Sequence, residues 1–143
     1  MDREILFKTD EFIFSYRVGG LLIRNDKILL QKPRNDYHSI IGGHVSCFET
    51  TAETLKREFE EEIHAEIGID RLFAVGEIFF HWGQKPCHQI CMYYKVHLMN
   101  EQDIPLDGIF HGYDVLDHER IDLDFCWVPL ERLKNGLKVY PLE

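Results

Sequence analysis

The sequence lacks the features that would assign it to a membrane or a secretory class. No run approaches the roughly 18 apolar residues that a membrane-spanning helix requires. The N-terminus, residues 1–4, has neither the basic and apolar segments nor the small-residue cleavage site of a secretory signal. We therefore expect a cytoplasmic protein with no membrane partner.

Cysteine is scarce, and its spacing does not suggest a metal or disulfide framework. The four cysteines form no CxxC pair, and two of them are flanked by apolar or aromatic residues. They are Cys47, Cys87, Cys91 and Cys126. Because free Cys is among the most buried residue types, we expect buried free thiols rather than a zinc site or a disulfide.

Positive charge is also in short supply. The chain has 16 Lys and Arg against 25 Asp and Glu, which gives a formal net charge of -9 at pH 7. Binding to nucleic acid or to anionic lipid without specificity needs clustered Lys and Arg, so the balance argues against a nucleic-acid partner. A polyphosphate substrate would need a metal ion to mediate its binding.

The length and composition are those of one globular domain. A chain of 143 residues falls within the usual domain size, and 45% of its residues are hydrophobic. We expect a single domain that spans residues 1–143.

The first third of the chain is rich in β-forming residues. Stretches at residues 11–24 and 28–31 are separated by residues 25–27, Asn-Asp-Lys, which are typical of a tight turn. This pattern predicts a hairpin. A loop at residues 33–39 then leads to Ile-Ile-Gly-Gly at residues 40–43.

A helix is predicted at residues 50–63. Its apolar residues recur at spacings of three and four: Ala52, Leu55, Phe59 and Ile63. Either Thr50 or Thr51 can cap its N-terminus. Termination near His64 is favoured over one more turn that would end at Gly68.

The remainder of the chain predicts strands at residues 72–82 and 90–99, joined by a loop at 83–86. The first of these strands is apolar nearly throughout, which suits a sheet covered on both faces. Residues 100–124 are polar and are expected to form a long loop.

A short strand at residues 125–128 and a helix that starts with proline at residues 129–133 complete the prediction. Strands on both sides of a long helix, with a second helix near the end, indicate an α/β fold, specifically a mixed sandwich.

Acidic residues are concentrated on one side of the predicted helix. Glu58, Glu61 and Glu62 stand at i, i+3 and i+4, beside the apolar stripe, on a face that we expect to be exposed. Anions this close repel one another unless a cation compensates, and carboxylate oxygens suit Mg²⁺ or Mn²⁺. The alternative from the helix alone is an ordinary solvated acidic face.

The spacing around the acids is more specific than the acids themselves. Residues 43–65 read GHVSCFETTAETLKREFEEEIHA, which closely resembles the Nudix box of the MutT-like hydrolases, GX5EX7REUXEEXGU. All six glycine and charged positions up to residue 62 are met: Gly43, Glu49, Arg57, Glu58, Glu61 and Glu62. A Trp-Val-Pro-Leu segment at residues 127–130 is similar to one often seen near the end of such domains. The resemblance implies a Nudix-type α/β/α sandwich with a mixed sheet.

Three positions depart from the box or its usual surroundings. His64 stands where the family has glycine, Ala65 where it has a larger aliphatic residue, and Phe48 where a glycine is common. The box glycine ends the helix, and His tolerates a positive φ better than most residues do. We therefore expect altered local geometry rather than altered chemistry.

By the same resemblance, the essential metal, Mg²⁺ or Mn²⁺ as a substitute, would be held by Glu61, Glu62 and the backbone carbonyl of Gly43. Glu58 would bind a metal or orient the attacking water. Metal ions in such a site neutralise the diphosphate and lower the pKa of a bound water, so that no covalent nucleophile is needed.

Arg57 would brace the carboxylates as a further catalytic residue, and Glu49 would either pair with it or join the outer shell of the metal site. A distant acid completes the site in several family members. Glu119 is the first candidate here and Asp122 the second; Asp124 and the strand residue Glu77 also remain open. The alternative for each of the four is an ordinary solvated carboxylate, which is the commoner state of such residues.

Histidines and aromatic residues supply the candidates for substrate binding. His88 is the favoured contact, with Tyr37, Phe80 and Trp82 as residues that could stack on a base. His44, beside the Gly-Gly pair, could face the phosphates. The alternative for all of them is packing in the core or ordinary hydrogen bonding.

The resemblance implies a pyrophosphohydrolase that cleaves the diphosphate of a nucleoside-diphosphate-linked small molecule by attack of water. Two alternatives stay open, a hydrolase of RNA 5′ ends and a catalytically silent Nudix-fold module that binds nucleotides. A homodimer also stays open.

Overall fold

The computed structural model describes residues 3–33, 38–105, 109–116, 119–134 and 139–140. Within these ranges, side chains are described except at residues 33, 109–116, 119–123, 133–134 and 139–140. In chain order the strands are β1 (Leu6–Lys8), β2 (Ile13–Arg24), β3 (Lys27–Pro33), β4 (His38–His44), β5 (Ile67–Trp82), β6 (Lys85–Leu98), β7 (Ile109–Leu116), β8 (Glu119–Pro129) and β9 (Val139–Tyr140). The helices are α1 (Thr51–Ile63) and α2 (Leu130–Lys134), and a 3-10 turn spans Glu101–Asp103.

The strands form a mixed sheet. Its continuous order is β5-β6-β2-β4-β3-β8-β7, with β1 added to β2 and β9 added to β4. The β2–β6 and β4–β9 pairs are parallel, and the other pairs are antiparallel. This arrangement places the C-terminal half of β2 at the centre of the sheet, where helix α1 covers it.

The main core lies between α1 and the sheet. Leu55 and Phe59 of the helix are fully buried, and a methyl group on Gly20 of β2 would lie 2.7 Å from the Phe59 ring. Burial of each such side chain contributes roughly 1.5–3 kcal/mol. Glycine at position 20 therefore lets the helix approach the sheet closely.

A second, smaller core lies between helix α2 and strands β3 and β8. Ile28, Leu30 and Val128 are buried there, and Leu130 of α2 packs against them. The two helices thus cover different parts of the sheet, and the predicted α/β/α sandwich with a mixed sheet is confirmed. In the part of the chain that the structure describes, none of the helices has the length and apolarity of a membrane span.

The predicted hairpin is confirmed, with a turn of two residues. Asn25 and Asp26 have φ values of 54° and 61°, and Arg24 pairs with Lys27. Positive φ at both central residues is the geometry that Asn and Asp tolerate best among non-glycine residues.

Both ends of the predicted helix are confirmed. Thr50 is the N-cap: its side chain accepts from the Glu53 backbone N–H, while the Glu53 side chain accepts from the Thr50 N–H. This reciprocal pair is a capping box. At the other end, His64 has φ 54° in the left-handed region, and the buried Ala65 follows it.

The predicted long loop at residues 100–124 is wrong. Strands β7 and β8 occupy most of it and pair antiparallel from Leu116↔Glu119 to Ile109↔Cys126. Residues 121–125 alternate apolar and acidic residues with the period of two that a strand requires. The loop was predicted from the acidic composition of the segment, without regard to this alternation.

Strands were correctly expected at residues 72–82 and 90–99, but each is longer, and only Gly83 and Gln84 separate them. The expectation that the first is covered on both faces is wrong, because side chains on both faces of β5 are exposed. Its large apolar residues are exposed instead. Of the cysteines, Cys87 and Cys91 are buried as expected, whereas Cys47 is exposed.

Candidate functional site

The end of β4 brings the main chain close to helix α1. Gly43 pairs with Val18 of β2, and a Cβ added to Gly43 would lie 2.6 Å from the carboxylate carbon of Glu58 and 2.7 Å from its Oε1. Any side chain at this position would displace that carboxylate. The absence of a side chain on Gly43 therefore lets a helix carboxylate rest against the backbone.

Arg57 is the centre of an ion-pair network. Its Nε and Nη2 donate to the Glu49 carboxylate at 3.1 and 3.0 Å, and its Nη1 donates to both Glu61 oxygens at 3.2 Å. The Nη1 atom also lies 3.5 Å from Glu58 Oε1. One cation thus holds three carboxylates of the box in fixed positions.

The electrostatic effect of this network is mutual. Hydrogen bonds from Arg57 hold the pKa of Glu49 below its usual value, and Thr54 adds to the effect by donating to Glu49 Oε1 at 2.7 Å. The Glu49 carboxylate in turn raises the pKa of Arg57. Arg57 Nη2 also donates to Ser46 Oγ at 2.9 Å, which ties the β4–α1 loop to the helix.

Glu62 is more deeply placed than its neighbours. It is only 4% exposed, and the Glu58 side chain is 12% exposed, whereas the Glu61 side chain is 57% exposed. The expectation that all three acids lie on an exposed face is therefore wrong for Glu62 and Glu58. The reason for the burial of Glu62 is its position next to the apolar stripe, where Ile63 and Phe59 enter the core. A carboxylate held in this position needs a compensating polar or charged partner.

The donor chemistry fits a hard divalent cation. Carboxylates and a backbone carbonyl are the oxygen ligands that Mg²⁺ takes, and the close approach of Glu58 to Gly43 brings the two kinds together. In the described residues, no group of three or more His, Cys, Asp or Glu side chains already has the geometry of a metal site. Arg57 is paired with Glu58 and Glu61 instead.

A cavity of about 280 Å³ opens beside this network. It is lined by Arg3, Ser46, Cys47, Glu49, Arg57 and Glu61. Arg3 and Cys47 were not predicted to lie here; a backbone hydrogen bond of 2.7 Å from the Cys47 N–H to the Arg3 carbonyl brings them together. No local signal marks Arg3, since only the pairing of the N-terminal segment with the loop after β4 places it here.

The candidate distant acids lie on a strand rather than on a loop. Glu119 begins β8 and pairs with Leu116, and Asp122 pairs with Tyr113, but the side chains of both acids are outside the described residues. Asp124 is half-buried on β8. The fourth candidate, Glu77, is exposed on β5 at the border of the sheet.

His44 points away from the acids of α1. Neighbouring residues of a strand face opposite sides, and Gly43 faces the helix. The His44 ring is 3% exposed and lies 3.1 Å from both Glu4 Oε2 and Ser15 Oγ, and the Ser15 hydroxyl donates to Gln89 Oε1 at 3.0 Å. The bond to His44 lowers the pKa of Glu4. The expectation that His44 faces the phosphates is not met by this geometry.

His88 belongs to an aromatic pocket of about 510 Å³. The pocket is lined by Phe12, Phe14, Phe79, Phe80, His81, Pro86, Cys87 and His88. The rings of Phe79 and His88 meet edge to face with centroids 4.7 Å apart. Trp82 does not line it, because its ring lies against His44 and below the Lys8 ammonium. Tyr37 is outside the described residues.

Comparisons with known proteins agree with this geometry. The model of the NUDIX domain family matches residues 14–141, and no curated protein matches the chain in sequence. A MutT NUDIX hydrolase from Burkholderia pseudomallei superposes with a TM-score of 0.56 at 20% identity, over 82% of this chain and 84% of that chain.

Two further solved structures share the fold. The E. coli ORF135 protein has a TM-score of 0.55 at 18% identity and covers 90% of this chain and 81% of its own. The C. elegans Ap4A hydrolase has a TM-score of 0.55 at 18% identity and covers 85% of each chain. Since the family model spans most of the sequence and the box residues meet around Arg57, the chain belongs to the Nudix family and is a Nudix hydrolase of phosphoric anhydride bonds.

Proposed function

We propose that this enzyme uses Mg²⁺, or Mn²⁺ in its place, to hydrolyse the diphosphate of a nucleoside-diphosphate-linked small molecule. The observation that carries the proposal is the network in which Arg57 fixes Glu49, Glu58 and Glu61 beside the side-chain-free Gly43. The network concentrates hard oxygen donors at one edge of a cavity, which is the arrangement that a metal-bound diphosphate requires.

The residues that would hold the metal are Glu58, Glu61, Glu62 and the carbonyl of Gly43. When bound, the metal supplies charge neutralisation for the diphosphate and a water of lowered pKa. The protein's own contribution is positional. Arg57 prevents the carboxylates from moving apart, and a displacement of about 1 Å in such a site can cost roughly 10²-fold in rate.

A small substrate is favoured by charge and by cavity size. The net charge of -9 opposes a polyanionic RNA chain, and the cavity at the acids holds about 280 Å³. The names of two proteins of the same fold also support the proposal: UDP-X diphosphatase, with a TM-score of 0.52 at 20% identity, and Ap4A hydrolase. Both names describe compounds in which a nucleoside carries linked phosphates.

The aromatic pocket supplies a place for the nucleobase. Phe14 lies four residues from Val18, the partner of Gly43, so Phe14 and Gly43 face the same side of the sheet about 13 Å apart. An extended nucleoside diphosphate can span this separation. The base would then rest on Phe14 with an edge within reach of a ring nitrogen of His88.

A hydrolysis screen with matched variants tests the proposal. Purified protein is incubated with a panel of nucleoside diphosphate derivatives, with Mg²⁺, and the release of mononucleotide and of inorganic phosphate is read separately. Glu61→Gln, on an exposed position, is expected to lower turnover at least 10²-fold, whereas Glu60→Gln, one residue away and outside the network, is expected to retain it. Equal loss, or equal activity, in the two variants would refute the assignment.

The base site is tested separately. His88→Ala and Phe14→Ala are expected to raise KM for the best substrate while leaving kcat nearly unchanged, because they remove binding remote from the reacting bond. A fall in kcat at constant KM would contradict the assignment of this pocket to the base.

A further inference from the structure

Strand β5 leaves one border of the sheet open. In the described residues no strand pairs with its outer edge. Its register with β6 is irregular at Ile69/Arg71 and at Leu72/Ala74, but residues 75–82 pair without interruption. Bulges at a sheet edge prevent further strands from pairing with it. The outward N–H and C=O groups of residues 75–82, where there is no bulge, can therefore pair with another strand.

The same segment exposes apolar side chains that a monomer would ordinarily cover. Phe79 is 69% exposed and Val75 54%, and Leu72, Phe73 and Phe80 are also exposed. Of these, Val75, Phe79 and Phe80 lie within residues 75–82 and present roughly 300 Å² of apolar surface, more than a third of the about 800 Å² that each partner buries in a standard interface. The backbone atoms at the strand edge and the neighbouring polar side chains add to the area that a second copy would bury.

We propose that this edge is a homodimer interface in which residues 76–82 of β5 pair antiparallel with the same residues of a second copy across a two-fold axis at Phe79. In this register Phe79 stands opposite Phe79 of the second copy. Ile78 then stands opposite Phe80 of the second copy, and Glu77 opposite its His81. Every cross-strand pair is thus aromatic, apolar or of compatible polarity.

The pattern of residues about Phe79 favours a copy of the same chain over an unrelated strand. An isologous contact must be self-complementary, and the pairs Glu77/His81 and Ile78/Phe80 are symmetric about position 79. A register centred on Glu77 would instead oppose two carboxylates. Between Leu72 and Trp82 the one acidic residue is Glu77, so little negative charge at this edge opposes the approach of two chains of net charge -9.

Sedimentation velocity at about 0.15 M salt tests the dimer. Wild type is expected to sediment as a species of twice the chain mass of 17.0 kDa at micromolar concentration. Phe79→Lys is expected to be monomeric with an unchanged circular dichroism spectrum, since its side chain is exposed. Met99→Lys, at an exposed apolar residue beyond the end of β6, is expected to remain dimeric. A wild-type monomer, or a dimer unaffected by Phe79→Lys, would overturn the proposal.

The register has its own test. Glu77→Lys and His81→Glu should each weaken the dimer at least 10-fold, and the double variant should recover most of the loss, because it places opposite charges across the interface. In a Cys47→Ser background, Phe79→Cys should form an intermolecular disulfide under mild oxidation, since Cα atoms directly opposite lie about 4.5–5.5 Å apart. Val75→Cys should not. A reversed cross-linking preference, or no recovery in the double variant, would refute this register.

Discussion

Replacing Gly43 with alanine isolates the contact between the main chain and Glu58. The added Cβ would lie 2.6 Å from the Glu58 carboxylate carbon, whereas ordinary contacts between such atoms are 3.4–4 Å. The carboxylate must therefore move by about 1 Å. We expect kcat/KM to fall about 10²-fold and the affinity for Mn²⁺ to weaken about 10-fold. Steady-state kinetics and calorimetric titration with Mn²⁺ measure the two effects.

Gly20→Ala is the matched control for this variant. Its Cβ would lie 2.7 Å from a carbon atom, an equally close contact, but that atom belongs to the Phe59 ring in the core. We expect it to destabilise the fold by about 1–3 kcal/mol while the folded enzyme keeps its metal affinity and its kcat. If Gly43→Ala lowers the melting temperature as much as Gly20→Ala does, and keeps its metal affinity, then the contact serves packing alone.

Three further predictions concern metal, acid and pH. Millimolar Mg²⁺ or Mn²⁺ should raise the melting temperature, and an unchanged value would contradict a metal site in the folded state. Glu119→Gln should lower kcat about 10²–10⁴-fold and Asp122→Asn much less; the reverse order would identify Asp122 as the distant acid. Because the folded-state pKa of Glu49 is depressed, its contribution to stability is present above the unfolded pKa and is lost as pH falls through the folded one. The difference in melting temperature between wild type and Glu49→Gln should therefore shrink on acidification below about pH 4, and a constant difference would contradict the ion pair with Arg57.

Local signals made the helix and its termini predictable. Thr50 and Glu53 satisfy backbone donors within one turn, and His64 ends the helix by adopting a positive φ. Both ends of the helix are therefore determined by residues close to them in the sequence. The box spacing likewise predicts that Arg57 lies one turn from Glu61, which the 3.2 Å hydrogen bond bears out. The metal ligands and catalytic roles remain predictions.

Features that depend on distant partners were not predictable from the same signals. The apolar run of β5 has the composition of a buried strand, and only the packing of the folded chain shows that its side chains are exposed. The acidic residues of β8 led to the prediction of a loop, but they form a strand because β8 pairs with β7. The orientation of His44 depends on Glu4 and Ser15, which come from two other segments of the chain.

Phe48 has a consequence for protein engineering. Its φ is 66°, which for a bulky residue costs about 1–2 kcal/mol, and its side chain is 96% exposed, so burial returns almost none of that cost. Glycine at this position would relieve the strain without opening a cavity. Libraries selected only for heat resistance should therefore accumulate Phe48→Gly early, and comparison of such clones with the parent would show what the enzyme gains from an exposed ring beside Glu49.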